Sequence, residues 1–379
     1  MIKIDSQRLI NISDYYYQEI HSTVIDKYSR AALGNNPFTG NDLRLWFVNS
    51  TGQLDMRFLK TLLTGTIDEI IKTNIEIEYY LKTCKFLHYS SEQVDAKLTG
   101  MKKVTNRIAI RQAYVAKFSN PWLDKYTKAP GNLSFFSSNK NYNKLVREVK
   151  ADMLDLNVLL AQMIDYEYIS KELRHELLHR IGIEVCPYCN RQYITSYIDH
   201  SEKKSTADLD HYYPNSRFKL FSLSLHNFVP ACQICNSRFK LAKGIEILDP
   251  YRDGFDRDTY FEVGLNPASN SDSLIGGNTF FNIELHQMHT GNRADQLEGN
   301  IRLFQLENVY QSHKEYVREL LYKQYVYKDA YKKDLTALFD NMQLTEQEIH
   351  LFLYGHALQD DKLGDRPLSK LAYDIITRT

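Results

Sequence analysis

Residues 175–179 read His-Glu-Leu-Leu-His, and residues 186–189 read Cys-Pro-Tyr-Cys. The first run, H-E-x-x-H, sets two histidines one helical turn apart with a glutamate able to activate a metal-bound water. Such a site needs a third protein ligand downstream. The pattern continues to Gly182, but Val185 stands where a third histidine would fall, and nothing around Glu184 or Glu202 marks a substitute. A zinc peptidase is therefore the weakest reading. The plainer one is a charged helix end, with Leu177 and Leu178 facing a core and Gly182 as the stop. The cysteines do find partners. Cys232 and Cys235 repeat the two-residue spacing of Cys186 and Cys189. Two such pairs complete a tetrahedral thiolate site around Zn2+, closed and structural. The gap between them exceeds that of a simple zinc finger, so a folded insert lies between. Cys84, the fifth cysteine, reads as a small buried apolar residue.

The elements that hold these residues follow from periodicity. From residue 5 to about 182, apolar residues recur three and four apart, which predicts helices. KYTKAPGNLSFFSSNKNYNK interrupts them as an exposed loop or internal boundary. From about 183 the runs QYITSYI and FKLFSLSL predict short strands, as do the stretches from LDPYRDGFDRDTYFEVGLNP to NTFFNIELHQ. Helices resume after about 292, and a last one starts near Thr345. The expected class is α+β: helical regions at 1–182 and in the later part of 251–379, flanking a small metal-stapled unit at 183–250. Lys+Arg and Asp+Glu balance at 47 each, so any anionic partner must be held by a local patch. The lysine- and tyrosine-rich YKQYVYKDAYKK reads first as an amphipathic helix, and only second as a backbone-gripping surface. The start of the chain lacks a secretion signal and no run is long enough to span a bilayer, which with paired cysteines predicts a reducing, cytoplasmic address.

Between the cysteine pairs lie Asp208-Leu209-Asp210-His211 and Asn227. Asn236 follows Cys235 directly, and Lys240 lies beyond. Together with CPYCN and NFVPACQICN, these residues resemble the H-N-H (ββα-metal) endonuclease motif in its four-cysteine form, over about residues 183–250. The resemblance implies phosphodiester hydrolysis. His211 would take the proton from water, since an imidazole titrates near neutrality. Asp210 and Asn236 would be oxygen ligands of a catalytic Mg2+ or Mn2+, with Asp208 a further ligand through water. Asn227 would orient the histidine-bearing segment. Asn236 stands where many members carry histidine, a known variant. Arg191, Arg217, Arg238 and Lys240 are the nearest candidates for phosphate contacts, although each alone reads as a surface charge. His226 reads as structural.

More narrowly, the chain resembles the H-N-H nucleases of Septu-type anti-phage systems. That implies a DNA nuclease working with an ABC- or SMC-like ATPase partner, its helical flanks serving docking and regulation. The competing reading is a zinc-stabilised nucleic-acid-binding or scaffold protein without catalysis. The joint presence of Asp210, His211 and Asn236 argues against it.

Overall fold

Helix α1 (Gln7–Arg30) buries Leu9, Ile12, Tyr16, Ile20 and Val24, the three- and four-residue spacing of an amphipathic helix. α2 (Met56–Thr64) packs against it, α3 (Ile67–Thr73) against α2, and α4 (Ile75–Ser90) against α3. Their starts are set by side chains that satisfy free backbone N–H groups: Asp55 for α2, a Thr66/Glu69 capping box for α3 and Asn74 for α4. A π-helical turn (Ser91–Asp95) leads into α5 (Ala96–Leu98), followed by α6 (Val104–Lys117), α7 (Pro121–Thr127) and α8 (Asn139–Ala161). Helix α9 (Lys171–Ile181) carries the His-Glu-Leu-Leu-His run, capped by Ser170. It ends at Gly182, whose φ of 63° is the left-handed conformation that glycine adopts without strain. The computed structural model describes residues 1–127, 138–327, 337 and 345–378. The centre of the KYTKAPGNLSFFSSNKNYNK segment and the latter half of YKQYVYKDAYKK lie outside them.

Three two-stranded antiparallel sheets follow. β1 (Ser196–Asp199) and β2 (Glu202–Ser205) form a hairpin against α9. β3 (Ala207–His211) pairs with β4 (Phe228–Cys232), Asp210 opposite Val229 and His211 opposite Phe228, and a π-helical turn (Cys235–Lys240) closes the unit. β5 (Thr259–Gly264) pairs with β6 (Asn282–Gln287), with α10 (Ser271–Leu274) in their connection. Helices α11 (Gly291–Leu303), α12 (Leu306–Tyr310), α13 (Lys314–Val326), α14 (Glu346–Tyr354) and α15 (Ser369–Arg378) complete the chain. With 57% helix and 10% strand the class is α+β. Among the described residues no helix is long and apolar enough to cross a membrane.

One expected strand is absent. FKLFSLSL forms 3-10 turns at Lys219–Phe221 and, just beyond, Leu225–Asn227. Its Phe218, Leu220, Phe221, Leu223 and Leu225 are all fully buried, so neither face of the run is free to be polar. Its backbone finds partners in side chains and local turns: the Tyr80 hydroxyl accepts from Leu220 N–H at 3.2 Å. The Tyr16 hydroxyl in turn donates to Leu223 O at 2.7 Å. Buried residues form one contiguous cluster from α1 to α15, across residues 182 and 250 alike. Two glycines, one in the chain leaving the small unit and one in α11, permit close backbone approach there. A Cβ on Gly244 would meet the His88 carbonyl oxygen at 1.9 Å, and one on Gly299 would meet that of Glu246 at the same distance.

Burial also sets an acid limit. Desolvation pulls His88, His211 and His356 down to about 4, below their ordinary 6.5. The unfolded chain therefore binds these protons more tightly, so stability is full above pH 6.5 and falls as pH drops towards 4. Asp374, pushed up to about 6 by burial, acts in the opposite sense. Burial also raises Asp95 and Asp249, but it lowers His226, His313 and the Met1 amino group as well. The lowered bases thus outnumber the raised carboxyls, each worth up to about 1.4 kcal/mol per pH unit. Melting temperatures are expected to fall steadily from pH 7 to pH 4.5. A flat profile there would refute the burial argument.

Candidate functional site

Chain reversal at Cys186–Asn190 brings the first cysteine pair to the end of β4. Asn190 N–H donates to Cys186 O at 2.8 Å, and Asn190 takes a left-handed φ of 50°. Arg191 N–H then points at Cys189 Sγ at 3.4 Å. Cys232 ends β4 and Cys235 opens the following turn, so all four sulfurs lie buried within 4.8 Å of one another. The Cys189 and Cys232 sulfurs are 4.0 Å apart. Tetrahedral Zn2+ with bonds near 2.3 Å would set them roughly 3.8 Å apart. The donor set fits a structural metal such as zinc. Hydrogen bonding with Cys186 lowers Cys189 and Cys232, whereas burial raises Cys186 and contact with Cys186 raises Cys235. A divalent cation would remove the need for that division.

The knuckle is anchored on its far side. Asn190 O accepts from Leu368 N–H at 2.6 Å, its side-chain oxygen from Lys370 N–H at 3.0 Å, and its amide donates to Leu363 O at 3.0 Å. The Tyr310 hydroxyl donates to Cys189 O at 2.7 Å.

Strand alternation places Asp208 and Asp210 on one face of β3 and His211 on the other. His211 is 9% exposed. Its ring meets those of Tyr166 and Phe228 edge-on, at 4.5 and 5.2 Å. Its Nε2 lies 3.0 Å from Ser222 O. A carbonyl only accepts, so Nε2 carries the proton and Nδ1 keeps the lone pair. Held down to about 4 by burial, His211 is neutral at pH 7. Asn227, fully buried, staples the β3–β4 connection. It accepts from Tyr213 N–H at 2.7 Å and donates to the carbonyls of Tyr213 and Phe221, both at 3.0 Å.

The carboxylates differ. Asp208 is half-buried and accepts from Asn236 Nδ2 at 2.9 Å and from the Ser237 hydroxyl at 3.3 Å. Asp210 is buried, with the Tyr188 hydroxyl donating to it at 2.6 Å and Lys240 Nζ 2.9 Å away. Asn236 thus meets Asp208, while Asp210 is held by Lys240 and Tyr188. Lys240, a sequence candidate for phosphate, is 4% exposed and also donates to His211 O. Its ammonium faces inward. Replacing it with methionine strands the Asp210 charge and is expected to cost about 3–5 kcal/mol. Urea unfolding measures this, and a loss below about 1 kcal/mol would show that Asp210 does not depend on the pair. Of the other candidates, Arg217 and Arg238 are exposed. Arg191 is half-buried, its Nε 3.0 Å from His313 Nε2.

Sequence reasoning missed Tyr166 and Arg174. Tyr166 starts a 3-10 turn (Tyr166–Tyr168) between α8 and α9. The Arg174 guanidinium lies over its ring, 4.3 Å from the centroid. An i,i+8 relation across a turn leaves no periodic signal. In the His-Glu-Leu-Leu-His run itself, Glu176 pairs with Lys203 and Arg180, both at 2.5 Å. Among the described residues, no third ligand joins His175 and His179. A second cluster, Glu262, Glu284 and His286, lies on the outer face of the β5–β6 hairpin, apart from this site.

No family model, curated protein or solved structure matches this chain.

Proposed function

We propose that the protein is a metal-dependent endonuclease of the H-N-H type that hydrolyses phosphodiester bonds of DNA, with a structural zinc held by Cys186, Cys189, Cys232 and Cys235. The observation that carries the reading is that β3 bears both parts: a neutral imidazole in one tautomer at its end, and on its other face Asp208 paired with Asn236. His211 Nδ1 accepts the proton of the attacking water, and the Nε2–H bond to Ser222 O fixes the ring while it does so. Asn227 holds the loop that provides this carbonyl.

Asp208 and Asn236 fit a Mg2+ or Mn2+ site because they are close and half-exposed, and such ions keep waters and share substrate oxygens. Bound there, the ion would polarise the phosphate and stabilise the leaving oxygen. Asp210 joins them only if Lys240 releases it. In this arrangement Lys240 neutralises Asp210 and ties the closing turn to β3. A role in anti-phage defence beside an ABC- or SMC-like ATPase accords with the motif resemblance and with the balanced charge, which leaves tight DNA affinity to a partner.

The test is plasmid cleavage by the zinc-loaded full chain with Mg2+ or Mn2+, alone and with a candidate ABC- or SMC-like ATPase partner. Nicking that stops when EDTA removes the added cation supports the reading. A folded, zinc-loaded chain inert under all these conditions supports the non-catalytic scaffold instead.

A further inference from the structure

Resting on the nuclease reading, we propose that Arg174 is a phosphate-binding side chain of the site, so that the helical region supplies part of the nucleic-acid grip and does more than dock a partner. Arg174 projects from α9 towards Tyr166, whose ring touches His211 at its edge. Tyr166 also packs on Phe228, the residue opposite His211 in the sheet. A single ring, that of Tyr166, therefore separates the guanidinium from the imidazole, with α9, the 3-10 turn and β3 each contributing one member.

Its bonding is incomplete. Arg174 Nε is buried and has no hydrogen-bond partner among the described residues. Among the described residues no carboxylate pairs with it, whereas Arg180, less than two turns on, is paired with Glu176. A half-buried guanidinium resting only on an aromatic face has donors to spare, and its fork matches the oxygens of a phosphodiester. Stacking on Tyr166 fixes the plane of that fork in advance, which lowers the entropy lost on binding. The Arg174 cation and the Asp208 and Asp210 carboxylates all act electrostatically on Tyr166, with opposite signs. A backbone crossing the site would thus meet a cation at Arg174 and acidic, cation-holding groups at β3. The sequence candidates Arg217 and Arg238, exposed and on loops or turns, have no comparable support.

The experiment compares binding and cleavage of a short DNA duplex by wild type, Arg174→Ala and Arg174→Lys, each checked for zinc content and melting temperature. Binding is measured in the His211→Ala background so that the duplex survives. Arg174→Ala is expected to weaken binding and cleavage about 10- to 100-fold, the range for a charged hydrogen-bonded contact. It should also flatten the dependence of log Kd on log salt by about one contact. Arg174→Lys should keep the salt slope while recovering only part of the cleavage rate, because an ammonium lacks the fork. Folded Arg174→Ala with unchanged Kd, salt slope and rate overturns the assignment while leaving the nuclease standing. A wild type that neither binds nor cuts the duplex, alone or with the ATPase partner, overturns both. If Arg174→Ala does not fold, Arg174→Lys decides through the same split between slope and rate.

Discussion

His211→Ala is expected to lower metal-dependent DNA cleavage by about 10²–10⁴-fold, the usual contribution of a positioned general base. Zinc should remain at one per chain, since the ring touches Tyr166, Phe228 and Ser222 O and no cysteine. Removing a buried ring also opens a cavity, so His211→Gln, which fills more of the space, serves as companion. Both variants should lose cleavage, and the better-packed one should lose less stability. Glu176→Gln is the contrast. Its carboxylate is occupied by Lys203 and Arg180 at the edge of the β1–β2 hairpin, so cleavage should persist. Equal activity in wild type and folded His211→Ala would falsify the general-base assignment.

Loss of the structural metal should have the larger effect on stability. Apparent binding energies of structural zinc are about 10–16 kcal/mol at neutral pH, comparable with the whole stability of a typical domain, about 5–15 kcal/mol. Cys232 terminates β4 opposite Ala207, and Asn236 follows Cys235 directly. Cys232→Ser therefore loosens the strand pair and the turn that presents Asn236 together. The expected outcome is zinc loss, early proteolysis between residues 186 and 240, and no cleavage even with Mg2+ supplied. Cys84→Ser is the control. Cys84 lies against Met153 and Arg217 O, away from the cluster, so zinc should stay. Full zinc content and a normal melting curve in Cys232→Ser would show that four-thiolate coordination is not what holds this unit.

The local code was the most legible part. The helical spacing of α1 and the glycine stop of α9 each rest on a few neighbouring residues, and the structure has both. The convergence of the cysteine pairs was also readable, because two pairs at the same two-residue spacing match the ligand set of a tetrahedral thiolate site. FKLFSLSL was not readable as turns. Its alternation imitates a strand, while the partners that stabilise it, Tyr80 and Tyr16, are contributed from far upstream. For the same reason the pairing of Lys240 with Asp210 was hidden. A lysine after a zinc pair looks like a surface charge until the fold closes a buried carboxylate over it.

Asn190 gives this architecture a timetable. The cysteines leave the ribosome in order, and residues 363–370, which clasp Asn190, emerge up to 180 residues later. Contacts so distant along the chain form late. During synthesis the knuckle can take its metal, but it waits with one side uncovered until residues 363–370 are made. Seating of the knuckle is thus coupled to synthesis of residues 363–370. A chain stalled before residue 363 carries every residue of the proposed chemistry and lacks the clasp that seats it.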